Sequence, residues 1–218
     1  YLKNLGVNAI ELMPVSEFEG NSSWGYNPSF YFAPDKYYGT KNKLKAFIDT
    51  CHQNGIAVLL DMVLNHSFGQ SPLVQLYFDP SAGEYGQPTP ENPWYNEQSP
   101  NPTYYWGFDF DHESEQTQKF VNRVTKYWLT EYKFDGYRFD FTKGFTNTPG
   151  EGWDYDQSRI NILKRIADTI WHTSPGAYVV LEHLTDNSEE KVLANYGKML
   201  WGNMNHAYNQ SSMGYMDG

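Results

Sequence analysis

The stretch "DGYRFDFTKG", Asp135 to Gly144, reads as one buried strand with chemistry at its end. Side chains alternate between the two faces of a strand, so Arg138 and Asp140 share one face and Tyr137, Phe139 and Phe141 share the other. The aromatic face suits a layer of helices. An arginine beside an aspartate on a buried face is costly unless both are satisfied, and a neighbouring guanidinium favours the ionised carboxylate. An ionised carboxylate is what a carboxylate nucleophile requires. The competing reading of an isolated R-x-D is a structural ion pair, since such pairs also perturb carboxylate chemistry.

Further strands lie on either side of this one. "VNAIELMPV" (7–15) reads as a short buried strand stopped by Pro14, with Glu11 a satisfied buried acid. The aromatic stretch 16–40, "SEFEGNSSWGYNPSFYFAPDKYYGT", reads as a loop able to carry binding groups. Thr40 caps a helix with Leu44, Phe47, Ile48 and Cys51 at helical spacing, and Gly55 ends it. "IAVLLDMVLNH" (56–66) is nearly all apolar, as expected of a parallel strand covered on both faces, and it ends in Asn65 and His66.

Residues 67–113 have little periodicity and read as a lobe inserted after that strand, over the site. Ser114 opens a helix with Phe120, Val121, Val124, Tyr127, Trp128 and Tyr132 on one stripe. A loop over 142–157 leads to a helix with Ile160, Leu163, Ile166, Ala167, Ile170 and Trp171 in register, broken at Ser174-Pro175-Gly176. "AYVVLEH" (177–183) is a strand ending in Glu182 and His183, a short helix follows over 189–196, and "KMLWGNMN" (198–205) reads as one more strand. The segment from Ala207 to Gly218 is polar and has no clear pattern.

The repeating unit is strand, loop, helix, and three strands finish in polar or charged residues. In a parallel α/β barrel the functional loops sit at the C-terminal strand ends, where His66, Asp140 and Glu182 then converge. A doubly wound open sheet is the alternative architecture, but no glycine-rich phosphate turn accompanies it. Two carboxylates on neighbouring strand ends, one beside an arginine and one in mostly apolar sequence, suit the nucleophile and acid of a retaining glycosidase, roughly 5 to 5.5 Å apart. A metal site built from Asp61, His66, Asp140 and Glu182 is a rival without a supporting spacing.

Composition narrows the field. With 218 residues and 39% hydrophobic content the chain can build one sizeable core. A net charge of −10 with dispersed basic residues argues against nucleic acid as a partner. No run is long and apolar enough for a membrane span and no signal-peptide pattern occurs. Cys51, the single cysteine, excludes an intrachain disulfide and reads as a buried thiol. Aromatic residues make up 17%, which leaves flat faces available for stacking. The opening "YLKNLG" reads as the last turns of a helix ending at Gly6, which implies preceding residues.

"DMVLNH" (61–66), "GYRFDFTKG" (136–144) and "VVLEH" (179–183), in that order, resemble sequence regions of the α-amylase superfamily of glycoside hydrolases, and "WGYNP" (24–28) resembles its aromatic loop. The resemblance implies a TIM (β/α)8 barrel of which residues 1–218 hold strands two to six. It further implies Asp140 as nucleophile, Glu182 as acid/base, Arg138 as the arginine orienting the nucleophile, His66 on the sugar and Tyr26 stacked beneath it. Lys143 matches a lysine on the leaving-group side, and His183 belongs to the same substrate-binding set. Asn65 matches a position that often ligates structural Ca2+; no organic cofactor is implied.

Two departures stand out. Gly144 replaces a histidine that helps bind calcium and substrate, and no "HD" pair supplies the family's third carboxylate; Asp217, in "YMDG", has the wrong context. The expected activity is hydrolysis of α-1,4 links in starch, glycogen or maltooligosaccharides through a covalent glycosyl-enzyme, with this segment alone inactive. The alternatives are a branching-type transglycosylase and a glucan-binding fragment without turnover. Oligomeric state and location stay open.

Overall fold

The computed structural model describes residues 1–202 and 204–215, with the side chain of His206 left out. Asp217 therefore lies outside the described residues. One hydrogen-bonded turn, Leu5 N–H to the Tyr1 carbonyl, ends at Gly6 with φ +84°. The elements in chain order begin with β1 (Ala9–Leu12), then β2 (Ser16–Phe18) and β3 (Pro28–Pro34), which pair antiparallel. The stretch expected as a plain loop therefore holds a small sheet, because Ser29 and Tyr31 find a buried face while Phe30 and Phe32 stay half-exposed.

Next come α1 (Lys41–Gln53), capped by Thr40, and β4 (Ala57–Met62). β4 is shorter than the apolar run suggests, because after Met62 the chain leaves the parallel sheet to start β5 (His66–Ser67). Residues 67–113 add α2 (Pro72–Gln75), the antiparallel pair β6 (Phe78–Asp79) and β7 (Gln87–Pro88), and β8 (Phe108–Asp109), which pairs back on β5. Beyond it, α3 (Glu115–Tyr127), capped by Ser114, runs into a π-helical turn over Trp128–Tyr132. β9 (Gly136–Phe139), α4 (Gln157–Thr173), β10 (Tyr178–Leu181), α5 (Asn187–Asn195), β11 (Met199–Leu200) and α6 (Asn205–Ser212) complete the order. The last expected strand shrinks to two residues, and the unpatterned polar tail contains a helix.

The five strands β1-β4-β9-β10-β11 form one parallel sheet in strictly sequential order. A doubly wound sheet reverses its strand order at a switch point; this one does not. Register places Val58, Leu60, Tyr137, Phe139, Val179 and Leu181 on one face, all nearly inaccessible to solvent. Against them lie Leu44, Ile48 and Cys51 of α1, Val121 and Val124 of α3, and Ile160, Leu163, Ile166 and Ile170 of α4. Each such aliphatic side chain stabilises the fold by about 1.5–3 kcal/mol on burial. Phe47 was expected among them but is 41% exposed, because the helix face it occupies turns outward.

The opposite face carries Glu11, Leu59, Asp61, Arg138, Tyr178, Val180 and Met199. It is open at its ends: Tyr178 and Met199 are about half-exposed, and Glu11 is exposed rather than buried. Gly136 lets β9 approach β10, since a Cβ there would overlap the backbone of Tyr178.

Candidate active site

Arg138 is the hub of the polar face. The residue is 2% exposed and its guanidinium serves three carboxylates: Nη1 donates to Asp61 Oδ1 at 2.6 Å and to Asp140 Oδ1 at 2.9 Å, and Nη2 lies 2.8 Å from Glu182 Oε2. Glu182 Oε2 also accepts from the Phe141 N–H at 3.0 Å. The contrast expected from sequence, one acid beside arginine and one in apolar surroundings, therefore does not hold. Both acids lean on the same cation.

One guanidinium charge cannot neutralise three carboxylates. Burial raises the Asp140 carboxyl to about 7; Arg138 opposes this, and the charges of Glu182 and Asp61 add to it. Arg138 thus favours the ionised Asp140, as expected, but burial outweighs its pull. Burial also raises Asp61, against the pull of Arg138 and of Tyr26, whose OH donates to Asp61 Oδ2 at 2.6 Å.

Asp140 sits one residue past the end of β9, and Phe141 turns left-handed at φ 44°. That turn removes Phe141 from the aromatic face it was expected to share with Tyr137 and Phe139. Its ring instead meets Trp106 at 5.2 Å and Tyr104 at 6.1 Å, on the side of the 67–113 segment.

Of the other expected residues, Tyr26 joins the hub directly through Asp61. His66 is buried beside it, with Nε2 2.8 Å from the Tyr26 carbonyl and Nδ1 facing Asn65 Nδ2 at 3.4 Å. Burial lowers its pKa to about 4, so the ring is neutral. His183 was expected at the substrate, but it is 1% exposed and both ring nitrogens are engaged, by Thr142 Oγ1 at 2.9 Å and Glu189 Oε1 at 2.8 Å. Its position is that of a brace behind Glu182. Lys143 is 5% exposed, and its Nζ stands 3.2 Å from the centre of the Trp153 ring rather than opening to solvent.

Asn65 Oδ1 is buried without a hydrogen-bond partner. With Asp109 and Asn101 it lines a constricted cavity of about 10 Å³, room for one water-sized sphere. Gly144 borders it, and a side chain there would overlap Asn65 Oδ1. Asn65 Oδ1 and the Asp109 carboxyl are hard oxygens of the kind Ca2+ takes, while Asn101 Oδ1 already accepts from Thr103 and Tyr104 N–H and Lys143 borders the same cavity. The rival metal site does not fit. Arg138 sits among Asp61, Asp140 and Glu182, and among the described residues no cluster of three His, Cys, Asp or Glu is arranged around a metal position.

Three features went unread in the sequence. Asp61 is a full partner of Arg138, and the single acid inside the apolar run "VLLDMV" was the available signal. Trp201 lies over the guanidinium, with its ring centre 4.1 Å from Arg138 Cζ, and nothing in its surrounding sequence marks it. Arg159 and Glu189 form a buried bidentate pair at 2.7 and 2.8 Å that secures His183 and, through Arg159 Nη1, the Lys143 carbonyl at 2.9 Å.

The family description "Alpha amylase, catalytic domain" matches residues 1–218. This chain belongs to the alpha-amylase family. The family's catalytic domain is a TIM barrel, and the five-stranded parallel sheet is consistent with part of one. The chain is 30% identical over 201 residues to malto-oligosyltrehalose trehalohydrolase of Deinococcus radiodurans, covering 92% of the chain and 29% of that protein. It is 31% identical over 199 residues to the 1,4-alpha-glucan branching enzyme of Shewanella baltica, covering 85% and 25%. Among solved structures it resembles pullulanase type I of Bacillus subtilis complexed with maltose, with TM-score 0.60, 29% identity, and coverage of 84% of this chain and 25% of that one. The chain thus spans about a quarter of the length of the curated relatives it matches. Among the described residues no helix is long and apolar enough to cross a membrane.

Proposed function

We propose that this chain carries the nucleophile and the acid/base of a retaining enzyme acting on α-1,4-glucosidic bonds. The observation that carries the reading is the single guanidinium of Arg138 holding Asp140 and Glu182 together at the C-terminal ends of adjacent parallel strands. Arg138 engages Asp140 Oδ1, which leaves Oδ2 to attack the anomeric carbon while Glu182 protonates the departing glycosidic oxygen. Because Oε2 of Glu182 is held by two donors, the transferable proton belongs on Oε1. Deprotonated Glu182 then draws a proton from water, which attacks the glycosyl ester and releases Asp140. Tyr26 would bind the sugar at the cleavage point, and His66, buried with its Nε2 on the Tyr26 carbonyl, would position that tyrosine.

A branching-type reaction uses the same acids with a sugar hydroxyl in place of water, and the match to a branching enzyme supports that second reading. The sheet would supply strands two to six of the eight-stranded barrel, with residues 67–113 forming a small lobe inserted after its third strand. Asn65 and Asp109 are the residues that would hold Ca2+ and order the adjoining segment; a calorimetric titration without heat on adding Ca2+ rejects that site.

The test of function is incubation of the full-length protein with a 5-fluoro-α-glucosyl fluoride and peptide mapping of the product. A covalent sugar on the peptide holding Asp140 is expected. No label, in a protein that binds maltooligosaccharides, would instead indicate a binding module. Product analysis for new α-1,6 links separates hydrolase from branching enzyme.

A further inference from the structure

One surface beside the acids is built more firmly than packing requires. A chain of rings leaves the catalytic hub: Phe141, whose N–H holds Glu182, meets Trp106 at 5.2 Å and Tyr104 at 6.1 Å, and Tyr104 meets Trp153 at 6.1 Å. Trp106 and Trp153 are 47% and 49% exposed, a cost for large apolar rings in water. Yet Trp153 is pinned from two directions. The Lys143 ammonium lies under its face at 3.2 Å, and its indole N–H donates to Glu151 Oε2 at 2.7 Å. Glu151 Oε1 in turn accepts from Thr103 at 2.7 Å, which ties the ring to the 67–113 segment. A cation–π contact and a charge-assisted hydrogen bond fix the ring's orientation while leaving about half of it open. Fixing an exposed ring in advance lowers the entropy lost when a ligand stacks on it.

We propose that the rings from Phe141 to Trp153 form the leaving-group and acceptor side of the glucan cleft, with Trp153 as a sugar platform and Lys143 and Glu151 as the residues that position it. The inference rests on the α-glucan reading above. Glu182 protonates the departing oxygen, so a wall anchored on its hydrogen-bond partner lies on the departing sugar's side. The flat C–H faces of a glucose ring match an exposed indole, and Lys143, covered by Trp153, acts through that ring rather than on the sugar.

The experiment compares two substrates in the full-length protein: maltoheptaose, which fills the leaving-group side with sugars, and α-maltosyl fluoride, whose fluoride leaving group does not reach the wall. In Trp153→Ala, kcat/KM for maltoheptaose is expected to fall roughly tenfold, the scale of one lost stacking contact, with a much smaller loss on the fluoride. Glu151→Gln shifts the same ratio in the same direction by less, and Trp153→Phe restores most of it. An unchanged substrate ratio in Trp153→Ala or in Glu151→Gln overturns the proposal. Wild-type protein that turns over neither substrate would remove the α-glucan reading itself, and the proposal with it.

Discussion

At the scale of single residues, the burial of Asp140 among neighbouring acids sets the pH behaviour, with Arg138 opposing it. Asp140 must be ionised to attack, and its carboxyl is raised to about 7 by burial and by the neighbouring acids. The acidic limb of the kcat/KM–pH profile of the full-length protein is therefore expected near 7 rather than near the ordinary carboxylate value of about 3.9. Asp61→Asn removes one like charge and frees Nη1 for Asp140, so the limb should move to lower pH. A limb that stays put or rises would count against the three-acid sharing. The same shift has a stability consequence. An acid raised in the folded state contributes stability below its unfolded value, and that contribution is lost as pH rises through about 7. Asp140→Asn should flatten the fall in Tm over that window and lower kcat by at least about a thousandfold, as expected for loss of a covalent nucleophile.

At the scale of elements, two contacts hold the strand ends in place. Gly136 begins β9 at φ +156°, and a side chain there would strike the Tyr178 backbone, which cannot swing away as a side chain can. Gly136→Ala should cost about 2 kcal/mol or more, read from denaturant unfolding, and a neutral result would mean that the β9–β10 spacing is softer than described. Glu189, fully buried on α5, binds Arg159 on α4 and His183 after β10. Glu189→Ala strands the Arg159 charge in the interior, at an expected cost of about 3–5 kcal/mol. Its companion Arg159→Met/Glu189→Leu should recover much of that stability, since removing both partners leaves no buried charge.

At the scale of the whole molecule, the described residues seal one side of the sheet and cover only the centre of the other. The helix face is sealed, while Tyr178, Met199 and Trp201 on the opposite side remain 40–53% exposed. Exposed apolar surface of this kind favours association. The 218-residue chain by itself is expected to bind 1-anilinonaphthalene-8-sulfonate while folded and to elute above monomer mass by light scattering. A monodisperse, dye-free monomer would show that this face is closed in solution.

The order of elements and the apolar face of the sheet were legible from sequence because both follow from local repetition. Period two in "GYRF" and helical spacing in 160–170 are properties of consecutive residues, and the capping residues Thr40 and Ser114 act within one turn. Asp140 and Glu182 could be named because each follows a strand end, and Arg138 because it shares a face with Asp140. The chain pattern did not reveal that Arg138 serves three acids, because Asp61 lies 77 residues away and reaches it only through the β4–β9 register. Nor did it show the displacement of Phe141 to the Trp106 side, which depends on one left-handed residue, or the enclosure of His183 and Lys143 by Glu189 and Trp153. Those are outcomes of side chains from separate elements competing for one volume and one set of hydrogen bonds, and only the tertiary structure decides them.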